Sequence, residues 1–220
     1  MKNLLWIFLF FIPLCLSSSR TTKKASFERV YLRVFKLEKK LELWTSDSDT
    51  GSFVLYKTYN ICKLSGKLGP KRKEGDFQVP EGYYEIIDFN YHSQYYLSLG
   101  LNYPNESDKI LSKYSNLGGN IYIHGNCISV GCIAMGNESI REIFDMCVSA
   151  KNKGQTHIPV HIYPINYNNI PSTFFMLGEI RDRNNLIFEY NLKEGFDLFE
   201  QNKHLPSVSV DSIGQYLYSQ

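Results

Sequence analysis

The 220-residue sequence lacks the charge imbalance and the metal-ligand spacing that mark several large protein classes. Its formal net charge is only +2, which argues against a protein that binds nucleic acid. It has no CxxC pair and no Cys/His spacing typical of a zinc site, so no metal centre is predicted. It also lacks internal repeats and, after the N-terminus, low-complexity segments. The length and composition therefore indicate one globular domain with modest extensions.

Long apolar runs are absent except at the N-terminus. Residues 4–16 (LLWIFLFFIPLCL) carry no charge, follow a short basic start and precede small residues, a pattern typical of secretory signal peptides. The run is shorter than the roughly 20 residues that a membrane-spanning helix needs. We therefore predict a signal peptide over residues 1–19, with Ser17 and Ser19 at the cleavage site, and export to the periplasm or cell envelope. An uncleaved anchor, or a lipid on Cys15, is the less favoured alternative.

Removal of this peptide would leave four of the five cysteines, namely Cys62, Cys127, Cys132 and Cys147. An oxidising compartment favours disulfides, but spacing alone does not decide which cysteines pair. We expect Cys62 and Cys147 to lie in the core. Three hypotheses stay open for Cys127: a structural thiol, a disulfide partner of Cys132, or a second functional thiol.

Aromatic residues make up 15% of the chain, which favours β structure. Residues 27–43 fit either a helix or a strand, and the tail from Leu205 is predicted to be a loop. Helical spacing predicts one helix that begins with Asn137 as N-cap and ends near Gly154, and a second over 172–204 with a break near Asn184-Asn185. Strands are predicted at 53–64, 83–90, 95–103, 121–125 and 158–165.

The strongest local signal is HGNCISVGCIAMGNESI, residues 124–140. A strand ends at His124, a loop carries Gly131 and Cys132, and a helix follows. A cysteine nucleophile needs a nearby base that takes the thiol proton, and His124 is the candidate. It also needs backbone N–H donors for the developing oxyanion, and glycine permits the tight turn that would aim them.

These residues resemble the L,D-transpeptidase (YkuD-like) family, whose members carry an upstream His-Gly on a strand and then a Ser-His-Gly-Cys stretch. His124-Gly125 resembles the first element and residues 129–135 (SVGCIAM) resemble the second. The loop over residues 69–86 resembles the family's Gly-Pro, Gly-Asp and Pro-x-Gly pattern. The histidine before Gly-Cys is Val130 here, and Ala134 replaces the usual Arg or Asn. These departures, with the GFDLFE segment near the C-terminus, resemble the YafK-like branch.

The resemblance implies a mainly β fold, a curved sandwich or open barrel, with a helix after the nucleophile. The catalytic domain would span residues 27–170, and residues 171–220 would form a helical extension packed on it. Cys132 would be the nucleophile, His124 the general base, and the backbone amides around Gly131 and Cys132 the oxyanion donors. By alignment with the motif, the substrate cleft would be lined by Tyr103, Tyr122, Asn126 and Ser129.

The implied substrates are peptidoglycan stem peptides, with a wall-attached protein as a further partner and no cofactor. A Cys thioester would pass to an amine or to water, and the YafK-like resemblance favours water. The alternatives are a non-catalytic exported wall-binding protein with a Cys127–Cys132 disulfide, and a cysteine peptidase of another fold that uses His161. The run Lys67–Lys73 is predicted to be a solvated basic loop, or else a contact for an anionic wall polymer. The oligomeric state stays open.

Overall fold

The structure, a computed structural model, describes residues 27–219, so the predicted signal peptide lies outside the described residues. Eight strands form one mixed sheet in the order β3-β2-β1-β8-β4-β5-β6-β7, and β9 and β10 form a separate hairpin. The predicted mainly β fold with added helices is confirmed. The elements are β1 Arg29–Phe35, β2 Lys40–Ser46, β3 Val54–Asn60, β4 Gly82–Ser93, β5 Tyr96–Leu101, α1 Glu106–Leu111, β6 Tyr122–His124, β7 Ile133–Ala134, α2 Asn137–Asn152, β8 Pro159–Tyr163, α3 Ile170–Glu179, α4 Arg183–Asn202, β9 Ser207–Val210 and β10 Tyr216–Ser219.

Strand β1 runs through the middle of the sheet, and both of its faces are covered. Side chains alternate along a strand, so Leu32 and Val34 face one side and Tyr31 and Phe35 face the other. Leu32 and Val34 belong to the main core, which also contains the buried side of α2. Tyr31 and Phe35 instead pack with aromatic side chains of α4. Helices therefore cover both faces of the sheet, which explains why the β1 sequence is apolar almost throughout.

Helix α4 fastens the C-terminal part of the chain to the sheet. Its apolar side packs against the sheet and β10, and its Glu200 accepts a hydrogen bond from the guanidinium of Arg33 at 2.7 Å. The helix begins after its N-cap Asp182, so the break between α3 and α4 lies slightly before the predicted one. The tail from Leu205 is not the predicted loop, because it forms the β9–β10 hairpin. The domain boundaries at residues 170 and 171 stay predictions.

The basic loop over residues 67–73 is partly internal rather than fully solvated. Lys71 is buried, and its ammonium lies 2.6 Å from the carboxylate of Asp76. The guanidinium of Arg72 lies 2.9 Å from the fully buried carboxylate of Asp108. Two of the charges that could have met an anionic wall polymer are thus neutralised inside the fold.

A cluster of buried ionisable groups joins α4 to the loop before β4. Lys36 donates to the carboxylate of Glu81 at 2.7 Å, and Glu81 lies beside Glu189 of α4. Burial, and then the charge of Glu81, raise the pKa of Glu189 well above its ordinary value. Glu81 Oε2 and Glu189 Oε1 have no other hydrogen-bond partner among the described residues. We interpret this arrangement as one proton shared by the two carboxyl groups.

The shared proton predicts a pH-dependent stability. Glu189 keeps its proton in the fold but loses it in the unfolded chain above an ordinary pKa of 4.5, so stability should fall as the pH rises above that value. Glu189→Gln removes the need for the proton and should raise the free energy of unfolding at pH 8 by roughly 1–3 kcal/mol. Urea unfolding at pH 5 and pH 8 measures the effect. Glu194→Gln, at an exposed position of α4, is the control, and equal pH dependence in all three proteins would contradict the shared proton.

Candidate active site

Strands β6 and β7 pair in parallel, and their register decides which side chains share a face. Ile123 pairs with Ile133, and both side chains are fully buried in the core. Because side chains alternate along a strand, His124 and Cys132, which flank these two residues, point to the opposite face. There the two side chains line one cavity of about 530 Å³. The predicted base and nucleophile therefore face the same cavity.

The imidazole of His124 is buried, and its tautomer follows from its neighbour. Nδ1 lies 2.6 Å from the carbonyl oxygen of Gly125, which can only accept, so Nδ1 carries a proton and Nε2 is the basic nitrogen. Burial lowers the pKa of His124, although the hydrogen bond to Gly125 opposes this shift. The ring of Tyr95 packs against the imidazole with 4.8 Å between centroids. The imidazole is thus neutral at neutral pH and held in place as a base.

Cys132 is a free thiol that the fold keeps protonated until it reacts. Burial raises its pKa, and the opposing effects of the Tyr122 backbone N–H and the Lys71 charge are smaller. The thiol lies 3.6 Å from the carbonyl oxygen of Asn120, to which it donates. The cavity therefore contains a neutral thiol and a neutral imidazole.

Gly131 takes a conformation that only glycine adopts easily, with φ at +95°. A Cβ at this position would also lie 3.3 Å from the backbone oxygen of Gln78. Its N–H donates to the hydroxyl of Ser65 at 2.6 Å. This hydrogen bond contradicts the predicted use of the Gly131 N–H as an oxyanion donor, because one N–H cannot serve both acceptors well.

Of the four predicted substrate-contacting residues, only Tyr122 lines the cavity. Tyr103 lies in the core, where its hydroxyl is 3.3 Å from the carbonyl oxygens of Lys71 and Leu117 and donates its one proton to either of them. Ser129 donates to the carbonyl oxygen of Cys132 at 2.6 Å and so holds the loop. Asn126 is exposed outside the cavity lining. The prediction for Tyr103 is wrong because alignment with a motif gives position along the chain and not the direction of a side chain, whereas the predictions for Asn126 and Ser129 stay predictions.

Helix α2 holds the first residues of the loop that connects β6 to β7. Asn137 is the first residue of this helix rather than its N-cap, which is Gly136. Its side-chain oxygen accepts the N–H of Asn126 at 2.8 Å, while the N–H of Gly136 donates to the carbonyl of Asn126. Asn137 therefore ties the loop to the helix instead of capping the helix.

Sequence reasoning missed the contribution of the β4–β5 hairpin, whose tip forms one wall of the cavity. The polar run between these two strands was the available signal, but nothing local shows that it folds over His124. Ser98 pairs with His124 across β5 and β6 and donates to Ser93 at 2.6 Å. His92 also belongs to this wall. The cavity is completed by Asn90, Ser93, Gln94, Tyr95, Asn120, Ile128 and Val130.

The disulfide joins Cys62 to Cys127 and leaves Cys132 and Cys147 free. The predicted Cys127–Cys132 pairing is thus contradicted, and with it the alternative of a non-catalytic protein whose nucleophile is blocked. Cys62 is exposed and not in the core as expected, whereas Cys147 is fully buried as expected.

The alternative of a peptidase that uses His161 also fails. This imidazole lies within an aromatic cluster, 2.9 Å from the hydroxyl of Tyr31, and does not line the cavity. Burial lowers its pKa to about 3, as expected for a structural histidine. Residues 27–219 contain no group of three His, Cys, Asp or Glu side chains suited to a metal ion. Within the same residues, no helix has both the length and the apolar character required to span a bilayer.

Comparison with known proteins identifies the family. The sequence model of the L,D-transpeptidase catalytic domain (YkuD) matches residues 30–162. The protein named "Putative L,D-transpeptidase YafK" from Escherichia coli (strain K12) is 36% identical over 192 residues, which are 86% of this chain and 74% of the relative. The relative of the same name from strain O157:H7 matches equally. The chain belongs to the L,D-transpeptidase catalytic-domain family.

Solved structures give weaker similarity. The helical cell shape determining protein Pgp2 from Campylobacter jejuni is 18% identical, with a TM-score of 0.48, over 86% of this chain and 77% of that one. The chain spans only 57% of a mutant Pgp2 chain. L,D-transpeptidase 1 from Mycobacterium tuberculosis is 10% identical, with a TM-score of 0.34, over 61% of each chain.

The disulfide should stabilise the protein through the long loop that it closes. Cys62 and Cys127 are 65 residues apart, and closing such a loop is worth up to about 4 kcal/mol. Replacing both cysteines by serine should lower the free energy of unfolding, measured in urea without reductant, by about 2–4 kcal/mol. Cys132→Ala keeps the disulfide and serves as the control. Equal stability of the double variant and the wild type would show that the disulfide does not constrain the fold.

Proposed function

We propose that the protein is a cysteine-dependent acyltransferase or hydrolase that acts on peptidoglycan stem peptides in cell-wall remodelling. The observation that carries this proposal is the shared cavity, in which the free thiol of Cys132 and the imidazole of His124 line the same space. Family membership supports the substrate class, because the matched domain is an L,D-transpeptidase catalytic domain. The Cys62–Cys127 disulfide leaves the Cys132 thiol free, which supports a catalytic role over the alternative in which a disulfide blocks this thiol.

The mechanism follows from the protonation states. Nε2 of His124 takes the proton of the Cys132 thiol as the sulfur attacks an amide carbonyl carbon of the stem peptide. Backbone N–H donors stabilise the oxyanion that forms. The imidazolium then gives its proton to the departing amine, the carbon–nitrogen bond breaks and a thioester remains. An amine or water attacks the thioester, its proton passes to His124, and the thiol is regenerated.

We propose hydrolysis as the main outcome, with a wall-attached protein as one partner whose link to the wall is cut. The departures from the usual family pattern support water, rather than an amine, as the acceptor of the acyl group. Ala134, which replaces the usual Arg or Asn, is fully buried in β7 and is absent from the cavity lining. Val130, which replaces a histidine, is 65% exposed and lines the cavity.

Loss of the thiol should abolish the reaction. Cys132→Ala removes the nucleophile, so turnover of purified wall fragments should fall by at least about 1000-fold and no thioester should form. Mass spectrometry of the intact protein and of the released products measures both quantities. Cys147→Ala is the matched control, since it removes the other free thiol, which is buried away from the cavity.

The products also decide between the two outcomes. Hydrolysis releases a free carboxyl group and an amine, whereas transfer yields a new amide bond and a larger product. Turnover by Cys132→Ala at the wild-type rate would contradict the enzymatic proposal. A wild-type protein that yields only cross-linked products would contradict hydrolysis while leaving acyl transfer intact.

We also propose that the protein is exported and acts in the periplasm or cell envelope. The charge pattern of residues 1–19 supports this proposal, and so does a disulfide among exposed cysteines. Fractionation of cells that express the full chain should recover it outside the cytoplasm. N-terminal sequencing should begin after Ser19, and a full-length cytoplasmic product would contradict export. An uncleaved but exported chain would indicate the anchor instead.

A further inference from the structure

A short segment after β3 lies along the outer edge of the nucleophile strand. The N–H groups of Cys62 and Lys63 donate to the carbonyl of Ala134 at 2.8 and 3.1 Å, and the N–H of Ala134 donates back to the carbonyl of Lys63 at 3.1 Å. The Cys62–Cys127 disulfide joins the same segment to the nucleophile loop. The segment is therefore a rigid support, and it presents Ser65 to that loop.

The hydroxyl of Ser65 connects three pieces of backbone. It donates to the carbonyl oxygen of Phe77 at 2.8 Å and accepts the N–H of Gly131 at 2.6 Å. The hydroxyl of Ser129 lies 3.4 Å away, but its own proton goes to the carbonyl oxygen of Cys132. Each hydroxyl has one proton to donate. Ser65 donates its proton to the Phe77 carbonyl and Ser129 donates its proton to the Cys132 carbonyl, so neither proton is left for a hydrogen bond between the two hydroxyls.

These hydrogen bonds hold the nucleophile turn on both sides. The peptide group before Gly131 is fixed through its N–H by Ser65, and the peptide group after Cys132 is fixed through its carbonyl by Ser129. The peptide group between them carries the N–H of Cys132, which meets no hydrogen-bond acceptor in the part of the chain that the structure describes. This amide is therefore available for an oxyanion on the attacked carbonyl.

We propose that Ser65 is a positioning residue, whose hydroxyl binds the Gly131 N–H and so fixes the turn that directs the Cys132 N–H towards the oxyanion. Ser65 is absent from the cavity lining and therefore acts without touching substrate. This inference rests on the proposed function, since it needs a thioester-forming Cys132. It deepens that function by giving Ser65 a role in the site: of the two amides predicted as oxyanion donors, Ser65 binds that of Gly131 and leaves that of Cys132 free.

The decisive comparison is Ser65→Ala against Ser65→Thr. Ser65→Ala frees the Gly131 N–H, so kcat for thioester formation should fall about 10- to 100-fold with KM within about threefold of the wild-type value. Ser65→Thr keeps a hydroxyl and should restore kcat to within about fivefold of wild type. Ser107→Ala is the matched control, because its buried hydroxyl also donates to a backbone carbonyl, that of Gly214 at 2.7 Å, in a different part of the fold. This control should change thermal stability but not kcat.

Hydrogen exchange of the wild-type protein tests the same hydrogen bond without a substitution. Amide hydrogen exchange should show a protected Gly131 N–H and a rapidly exchanging Cys132 N–H. An unprotected Gly131 amide would overturn the proposal, even where Ser65→Ala fails to fold. Equal kcat for Ser65→Ala and wild type would also overturn it, as would an equal kcat loss in Ser65→Ala and Ser65→Thr. A wild type that forms no thioester on any wall fragment would instead refute the proposed function, so the two failures are distinguishable.

Discussion

The site depends on the parallel pairing of β6 with β7. Burial of Ile123 and Ile133 determines the register, and each buried isoleucine contributes roughly 1.5–3 kcal/mol. A shift of one residue would turn Cys132 into the core and Ile133 into the cavity, so the energy of the core also enforces the alignment of the nucleophile. The chemistry of the site is thus secured by two side chains that take no part in it.

The base and the nucleophile are supported from opposite sides. The β4–β5 hairpin holds the imidazole of His124 through the ring of Tyr95, and the segment after β3 holds the turn around Cys132. The imidazole is buried and the thiol half-buried, which favours the neutral form of each. In the proposed reaction, charge appears only during the attack, where backbone N–H donors stabilise it.

Much of the local structure could be predicted from the sequence. Residues 121–125 combine a β-forming run with a terminal glycine, and residues 137–154 show helical periodicity, so β6 and α2 follow from short-range patterns. Cys132 and His124 could be selected because a catalytic thiol needs a base. The β9–β10 hairpin was missed because its partner contacts, such as the hydrogen bond from Asn105 to the hydroxyl of Tyr216, span 111 residues.

The sequence by itself determined the candidate base and nucleophile, the glycine that the turn requires and the β character of the fold, since these depend on residue type and near neighbours. Tertiary structure alone decided that Cys127 pairs with Cys62, that Tyr103 lies in the core and that Ser65 receives the Gly131 N–H. The physical reason is that disulfides, cavity walls and oxyanion donors depend on the direction of side chains and amides between distant segments. That direction is set by how the core packs.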